Sequence, residues 1–406
     1  MTKLEKLLQE LCPEGVVYKT LGEIATDVFR GAGITRDQVR EIGTPCVRYG
    51  EIYTTYGVWF ENCVSHTDET LLTSKKYFGY GDILFAITGE SVEDIAKCCA
   101  YIGHETCLAG GDIVVLKHNE DPKYLSYTLS TLDAQKQKSK GKVKSKVVHS
   151  SVPDIKAIRI PVPPLPVQRE IVRILDNFTE LTAELTAELT VRKKQYAYYR
   201  DKLLTHASET KICKLADVCE SIADGDHMPP PKADDGIPFI TISNITEQNK
   251  IDFSNTMFVP SSYYDALADK RKPHSGDILY TVVGSYGIPV CIEQDTKFVF
   301  QRHIAILRPR SEVIKARYMF HAMQSGAFKA QADKAAKGAA QKTIGLSSLA
   351  EMTLPVPDMC IQERLIRVLD RFDTLCTDLS SGLPAEIKAR QKQYEYYRDK
   401  LLEFEK

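Results

Sequence analysis

Several features of specialised proteins are missing from this sequence. Its 406 residues include a single Trp, and its 11 cysteines contain no Cys-x-x-Cys pair. Scattered cysteines of this kind indicate reduced thiols rather than a zinc site or a disulfide framework. Apolar runs are only a few residues long, and the charged amphipathic start of the chain has no secretion-signal pattern. We therefore expect a cytoplasmic protein without membrane-spanning segments.

An excess of charge and an obvious catalytic motif are missing as well. The net charge of -1 argues against a protein that coats polyanions uniformly, although it permits a local basic face. The glycines at Gly89 and Gly284 lack the lysine and spacing of a phosphate-binding loop, so tight turns are expected there. The stretch from Asp224 to His227 has no second ligand cluster to converge on it, which makes a metal or catalytic role the weaker interpretation. We predict no metal site and no catalytic centre in this chain.

The sequence contains two copies of one unit. Residues 160–178 match residues 354–372 at a constant offset of 194. The block RKKQYAYYRDKLL, ending at Leu204, recurs as RQKQYEYYRDKLL, ending at Leu402, at an offset of 198. Shorter matches in the preceding regions, such as Gly-Asp-Ile-Leu at 81–84 and 276–279, show that the homology extends beyond these blocks.

Short apolar runs between Gly, Asp and Pro predict β-strands in both copies. Such runs occupy residues 83–86, 113–116, 238–242 and 304–307. Each copy is therefore predicted to be an α/β (α+β) globular domain with a β core, followed by a long helix.

Apolar residues alternate in steps of four and three along both predicted helices, as in a coiled coil. The first seam comprises Val167, Ile171, Ile174, Phe178, Leu181 and Leu185. The second comprises Ile361, Leu365, Val368, Phe372, Leu375 and Leu379, before Ser-Gly-Leu-Pro384 predicts an interruption. We expect an antiparallel coiled coil that relates the two copies by a pseudo-two-fold axis and separates the two globular domains.

A run of lysines in the first copy favours contact with nucleic-acid phosphates, although a solvated edge strand is the alternative. It comprises six residues, Lys136, Lys138, Lys140, Lys142, Lys144 and Lys146. The corresponding stretch of the second copy keeps Lys334, Lys337 and Lys342, and Lys270, Arg271 and Lys272 form a further basic cluster.

Reading of bases requires side chains with paired donors and acceptors on exposed loops. In the first copy the candidates are Arg30, Arg36, Arg48, Tyr49, Thr54 and Tyr56. In the second they are His227, Lys232, Thr241, Asn244, Ser285, Tyr286, Arg302 and His303. Helices of about 40 residues are roughly 60 Å long, so they could place two such readers on successive turns of one duplex.

The two amphipathic QYxYYRDKLL blocks suggest a protein interface, because Tyr and Arg are enriched at such surfaces; packing in the helix seam is the alternative. The candidate partner-binding residues are Gln168, Tyr196, Tyr199, Arg200, Gln362, Tyr394, Tyr397 and Arg398.

These blocks, the Pro-Val-Pro helix starts, the Gly-Asp-Ile-Leu runs and the duplication together resemble the specificity subunit of type I restriction-modification enzymes. The resemblance covers essentially the whole chain, and the Thr-Ala-Glu-Leu repeat in residues 181–190 resembles the spacer of subfamily IC. It implies two target recognition domains, residues 1–160 and 207–356, separated by a central helix, residues 161–206, and followed by a C-terminal helix, residues 357–406.

The resemblance also implies partners and a division of labour. Each domain would read one half of an asymmetric site in double-stranded DNA, and the helices would dock two adenine methyltransferase subunits and, through them, restriction subunits. This chain would hold no cofactor, whereas S-adenosylmethionine, ATP and Mg would belong to the partners. In agreement, the sequence has neither an Asn-Pro-Pro-Tyr methyltransferase motif nor an ATP-binding loop.

Two other functions remain open from the sequence. The chain could be a stand-alone repressor with two tandem DNA-binding domains, which would bind DNA without a methyltransferase. It could also be a coiled-coil scaffold whose globular domains bind no nucleic acid, and steep salt dependence of DNA affinity would exclude that function.

Overall fold

The computed structural model describes residues 2–140, 142, 147–205, 210–225, 230–246, 248–339, 341–378 and 380–404. Its contacts divide the chain into two compact units. The first unit comprises Met1–Ala183 and Lys388–Lys406, and the second comprises Glu184–Ile387. Of the candidate site residues, Lys144, Lys146 and His227 lie outside the described residues, as does Leu379 of the predicted seam.

The first unit is built around two five-stranded sheets, with strand orders β2-β12-β8-β10-β5 and β3-β6-β4-β11-β7. Short pairs β1-β14 and β9-β13 complete it. The strands are β1 (Tyr18–Thr20), β2 (Ala25–Arg30), β3 (Val39–Arg40), β4 (Thr44–Val47), β5 (Trp59–Phe60), β6 (Ser65–Thr67), β7 (Tyr77–Phe78), β8 (Ile83–Ala86), β9 (Thr88–Gly89), β10 (Cys98–Tyr101), β11 (Cys107–Ala109), β12 (Ile113–His118), β13 (Val148–His149) and β14 (Arg159–Pro161).

Helices pack on the first of these sheets and begin at polar capping residues. Asp121 accepts a hydrogen bond from the Tyr124 N–H at the start of α4, where Pro122 takes the first helical position. Thr20 and Glu23 form a reciprocal capping box at α2. The helices are α1 (Lys3–Leu11), α2 (Leu21–Ile24), α3 (Tyr49–Thr54), α4 (Pro122–Leu129), α5 (Leu132–Ser139) and α6 (Val152–Lys156).

The two units are joined by α7 (Leu165–Thr205), a helix of 41 residues that begins in the first unit and continues into the second. Pro166 lies in its first turn, where a missing N–H removes no intrahelical hydrogen bond.

The second unit repeats the first with smaller sheets, in the orders β16-β22-β19-β20 and β18-β17-β21, and with the pair β15-β23. The strands are β15 (Lys211–Lys214), β16 (Cys219–Asp224), β17 (Ile237–Ile240), β18 (Met257–Val259), β19 (Ile278–Thr281), β20 (Pro289–Cys291), β21 (Val299–Phe300), β22 (Ile304–Pro309) and β23 (Thr353–Val356). The helices are α8 (Leu215–Val218), α9 (Ser261–Ala266), α10 (Ala316–Met323), α11 (Gly326–Ala335) and α12 (Leu346–Glu351). The predicted strands at 83–86, 113–116, 238–242 and 304–307 are thus confirmed as β8, β12, β17 and β22 to within about two residues.

The C-terminal helical region is interrupted, as the Ser-Gly-Leu-Pro384 sequence predicts. α13 (Met359–Thr377) ends before this motif, and α14 (Leu383–Leu402) begins within it. In the second unit α13 packs against α7, with Leu365 and Leu204 in one apolar cluster and Tyr196 stacked near Phe372. Because the paired positions run in opposite sequence directions, the two helices are antiparallel there.

The predicted seam is only partly correct. In α13 the buried apolar residues are Leu365, Leu369 and Cys376, whereas Val368 and Leu375 are 38% and 39% exposed. In α7 Val167 and Ile171 are buried as predicted, but Leu181 is 37% exposed. The seam was predicted for a helix that packs only against one partner helix. α13 is also covered by α10 of the globular region, and this contact changes which of its residues are buried.

Candidate nucleic-acid interface

Three chain segments cross at the end of β2 in the first unit, and we call this arrangement the strand crossing. The Gly31 N–H donates to the Ile113 carbonyl at 2.8 Å, and the Gly110 N–H donates to the Val47 carbonyl at 2.9 Å. A Cβ atom added at Gly31 would lie 2.1 Å from the Gly110 oxygen, so only glycine permits this approach. The crossing holds the ends of β2, β4 and β11 together.

The strand crossing brings candidate residues of separate segments to one rim. Arg30 ends β2, donates to the Gly111 carbonyl and pairs with Asp112, and its side chain is 59% exposed. Arg48 precedes α3 and pairs with the buried Glu51 at 3.1 Å. Tyr49 and Thr54 are exposed on α3 itself. This rim can present both cations and polar donors to a ligand.

The second unit has the same crossing with different side chains. The Gln301 N–H donates to the Ile240 carbonyl at 3.0 Å, and a Cβ at Gly225 would lie 2.1 Å from the Phe300 oxygen. Its rim carries Thr241, which follows β17, and Arg302 and His303, which follow Gln301. Arg271 lies 3.6 Å from the Asp224 carboxylate. Partial burial lowers the pKa of His303, so its imidazole is neutral at pH 7 and offers one donor and one acceptor.

A second surface is formed where the glycine loop after the Gly-Asp-Ile-Leu strand meets the basic segment. In the second unit the Gly284 N–H donates to the Lys342 carbonyl at 3.0 Å, and Lys337 and Thr343 exchange backbone hydrogen bonds. In the first unit Gly89 pairs with Val148. We call these the glycine-loop surfaces, and their exposed side chains are Lys140, Ser285, Lys337 and Lys342. Lys136 is exposed as well, but it lines a separate cavity with Tyr18 and Arg159.

The remaining DNA-binding candidates are partly buried or lie apart from these two kinds of surface. Lys142 pairs with Asp154 at 2.7 Å, Tyr286 donates to Asp333 at 2.9 Å, and the Lys272 ammonium lies 5.4 Å from the Tyr264 ring centre. The side chains of Arg36, Lys232 and Lys270 are exposed.

Three of the predicted DNA-binding residues are buried, and the structure corrects their role. The Tyr56 hydroxyl accepts a hydrogen bond from the Val64 N–H, and burial raises the pKa of this phenol. The Lys138 ammonium donates to the Leu129 carbonyl at 2.7 Å. The Asn244 amide donates to two backbone carbonyls. These side chains hold their own loops in place, so they cannot reach a ligand in this conformation.

The two glutamines assigned to a partner interface are also buried. Gln168 accepts from the Asp121 N–H at 3.0 Å and donates to the Pro163 carbonyl at 2.7 Å. Gln362 accepts from the Lys315 N–H at 2.9 Å and donates to the Pro357 carbonyl at 2.8 Å. Each glutamine fastens the start of a long helix to its globular region. Both side chains are thus engaged within their own units, and neither offers a free donor or acceptor at the surface.

Some candidate residues of the two tyrosine-containing blocks are buried in packing contacts, and others lie at the surface. Tyr196 and Arg398 are buried, Tyr394 is partly buried, and the Arg200 side chain is 11% exposed over the Tyr196 ring. Tyr199 and Tyr397 keep part of their surface exposed while stacking on Phe372 and Phe178. Tyr198 and Tyr396, both 61% exposed, are the most accessible tyrosines of the blocks, and sequence analysis did not select them.

Two further residues of the first rim were missed. Glu51 accepts hydrogen bonds from the Arg48 side chain and from the Ser65 hydroxyl at 2.7 Å, so it orients Arg48. Gly110 supports the crossing, and the Gly-Gly pair at 110–111 was the available turn signal.

Among the described residues no cluster of three or more His, Cys, Asp or Glu side chains could hold a metal ion. No helix in the described ranges combines the length and apolar character needed to cross a bilayer.

Comparison with known proteins identifies the family. Residues 13–191 and 207–389 each match the type I restriction modification DNA specificity domain. The chain belongs to this family. It carries two copies of the DNA specificity domain, which confirms the resemblance found in the sequence and leaves the repressor and scaffold alternatives unsupported.

Relatives of this family match most of the chain. It is 34% identical over 312 residues to the specificity subunit of a type I restriction enzyme from Escherichia coli, covering 70% of this chain and 71% of the relative. It is 31% identical over 277 residues to a putative specificity subunit from Haemophilus influenzae, covering 65% and 68%. A chain solved in a study of complex assembly in a type I restriction-modification system has the same fold, with a TM-score of 0.63, 17% identity, and coverage of 96% and 98%.

Proposed function

We propose that this chain is the specificity subunit of a type I restriction-modification complex, in which each recognition domain reads one half of an asymmetric bipartite site in double-stranded DNA. The observation that carries the proposal is the strand crossing, which both units build from the same backbone hydrogen bonds and cover with different side chains. Two domains that share this backbone arrangement but carry different side chains around it are suited to reading different base sequences.

We assign contacts with phosphates and contacts with bases to side chains of different chemistry. Exposed lysines of the glycine-loop surfaces, Lys140, Lys337 and Lys342, suit phosphates, since a flexible ammonium adds affinity without sequence information. Arg30, Arg48 and Arg302 on the rims suit base edges, because a guanidinium can donate two parallel hydrogen bonds to guanine. Base reading is thereby assigned to the strand crossings.

The helices are assigned to spacing and to partners. We propose that they dock two adenine methyltransferase subunits, which in turn recruit restriction subunits, and that Tyr198 and Tyr396 belong to that docking surface. We propose that the chain is non-catalytic, that it binds no cofactor itself and that it works in the cytoplasm. S-adenosylmethionine, ATP and Mg belong to the partner subunits in this scheme.

The Thr-Ala-Glu-Leu repeat lies within α7, which is helical throughout residues 181–190. Four extra residues lengthen a helix by about 6 Å and rotate it by about 40°, whereas a base pair advances DNA by about 3.4 Å and roughly 35°. A third repeat unit is therefore expected to widen the gap between half-sites by about one to two base pairs.

Methylome sequencing of cells that express this chain with its partners tests the proposal. Replacement of residues 1–155 by another recognition domain should change one half of the methylated motif and leave the other half and the gap unchanged. The variant with a third repeat should change only the gap. A change in both half-sites on domain replacement would overturn the modular assignment.

A further inference from the structure

Among the described residues, the main sheet of the second unit has no counterpart of the edge strand β5 that completes the sheet of the first. In the first unit β5 pairs in parallel with β10, and Trp59 lies opposite Ala100. The Ala100 N–H donates to the Val58 carbonyl at 3.0 Å, and the Ile102 N–H donates to the Phe60 carbonyl at 2.9 Å. In the second unit β20, the counterpart of β10, is the last strand of its sheet among the described residues.

The backbone pairing shows which groups of β20 point outward. The Ile292 N–H donates to the Asp277 carbonyl in the neighbouring strand β19, just as the Tyr101 N–H donates to Asp82 in the first unit. Cys291 and Glu293, on either side of Ile292, therefore correspond to Ala100 and Ile102 and direct their N–H groups away from β19. Within the described part of the chain, β19 is the one strand that pairs with β20, so no strand lies on the side to which these N–H groups point.

A cleft lies along this open edge. Its volume is about 360 Å³, and its lining includes Cys291, Glu293, Arg317, Phe320 and Phe253. The described residues of the hairpin that closes the cleft on one side reach β20 through Asn249, whose amide donates to the Pro289 carbonyl at 2.9 Å. Pro289 directs its nitrogen to the same open side, which is where proline is tolerated in an edge strand.

The first unit also shows which side chains such a cleft accepts. The Lys123 ammonium lies 4.0 Å from the Trp59 ring centre, and Phe60 stacks on Tyr56 at 4.1 Å. Arg317 takes the place of Lys123 in the second unit and lines the cleft, with its guanidinium 4.6 Å from the Phe320 ring centre. An aromatic residue in an entering strand can therefore lie beside a cation, as Trp59 does.

The opposite wall is apolar. Phe253 is partly exposed, and its ring packs edge-on against Phe298 at 5.8 Å. Since successive residues of a strand point to opposite faces, the residue that follows the aromatic one would meet Phe253. Two consecutive apolar residues, the first of them aromatic, fit this arrangement.

We propose that this cleft, the β20 cleft, binds an extended segment of the methyltransferase partner, which adds a parallel strand to β20 and places an aromatic side chain beside Arg317. The inference rests on the proposed function, because α13 residues Asp373 and Thr377 line the cleft and α13 belongs to the proposed docking helices. Addition of a strand to an open sheet edge takes its affinity from main-chain hydrogen bonds and its specificity from alternate side chains.

Amide hydrogen exchange of the full chain, alone and with its methyltransferase partner, tests the inference without any substitution. Binding should slow exchange at Cys291 and Glu293 by about tenfold or more, because both N–H groups would gain acceptors. Exposed amides of the same unit, such as those of Lys270 and Arg302, serve as the internal reference.

A matched pair of variants adds a binding measurement. Cys291→Pro removes the outward N–H donor, whereas Cys291→Ala keeps it and introduces the residue found in the first unit. We expect the proline variant to bind the methyltransferase about tenfold more weakly than the alanine variant, which should bind like the unmodified chain.

The outcomes separate the two proposals. Stable binding of the methyltransferase with unchanged exchange at Cys291 and Glu293 would overturn the β20 cleft as a docking site and leave the proposed function intact. Failure of the methyltransferase to bind the unmodified chain at all would overturn the proposed function itself.

Discussion

The two units share a backbone frame but differ in the polar contacts where α7 or α13 meets the globular region. In the first unit the Tyr127 hydroxyl donates to Asp176 at 2.7 Å, and Lys123 pairs with the same carboxylate. In the second unit the equivalent contacts are made by His321 and Arg317 to Asp370, each at 2.7 Å. The acidic helix residue is the same in both units while its partners differ, so equivalent junctions can respond differently to pH.

The largest expected effect concerns the apolar contacts that the two junctions have in common. Leu175 and Leu369 are fully buried at equivalent positions of α7 and α13. Replacement of either by Ala should destabilise its unit by about 2–5 kcal/mol, because the side chain is removed without space-filling compensation. Val368→Ala, at a half-exposed position next to Leu369, is the matched control and should cost much less. Thermal unfolding of each variant measures this, and equal losses for Val368→Ala and Leu369→Ala would contradict the observed buried face.

The next effect concerns the glutamines that fasten each helix. Gln168→Ala removes the partner of the Asp121 N–H and the Pro163 carbonyl, and Gln362→Ala removes the partner of the Lys315 N–H and the Pro357 carbonyl, at a cost of about 1–3 kcal/mol per unsatisfied group. We expect similar losses in the two units, since these two hydrogen bonds are equivalent and only the third partner differs, the Glu120 carboxylate in the first unit and the Val313 carbonyl in the second. Denaturant unfolding compares them with Gln9→Ala, which alters an exposed residue of α1. A much larger loss in one unit would break the equivalence.

The pH response should distinguish the units. His321 is fully buried between Tyr196 and Asp370, and burial lowers its pKa below the ordinary value of about 6.5. The unfolded chain therefore binds a proton more readily than the folded chain, so stability is lost as the pH falls below about 6.5 towards the folded-state pKa, by at most about 1.4 kcal/mol per pH unit.

The variant His321→Tyr introduces the residue of the first unit and should flatten this dependence. The difference is measured by unfolding both proteins between pH 7.5 and 5 and monitoring amide exchange in α10. Identical pH profiles for the two proteins would contradict the assignment to His321.

The smallest effect concerns the exposed lysines of the glycine-loop surfaces. Lys140→Ala in the first unit and Lys337→Ala in the second should each reduce the slope of log affinity against log salt by about 0.9, since one phosphate contact is lost. Lys6→Ala, an exposed change on α1, should leave the slope unchanged. DNA-binding titrations of the assembled complex at several salt concentrations test this. An unchanged slope for Lys140→Ala and Lys337→Ala would remove these lysines from the interface.

Sequence analysis predicted what depends on local pattern. Buried β8 and β22 follow from short apolar runs bounded by turn residues, and the end of α13 follows from Ser-Gly-Leu-Pro384. It failed where several segments meet. Tyr56, Lys138 and Asn244 have the polar groups expected of DNA contacts, yet each satisfies backbone groups of a neighbouring loop that sequence spacing does not reveal.

The sequence by itself determined the duplication, the mixed α/β content, the long helices and the family, because these depend on residue order and periodicity within short windows. Only the tertiary structure decided which face of α13 is buried, which basic residues remain exposed, and that β20 is the edge strand of its sheet among the described residues. Those properties depend on contacts between residues far apart in the chain, and hydrogen bonding and burial select among side chains that are chemically equivalent in the sequence.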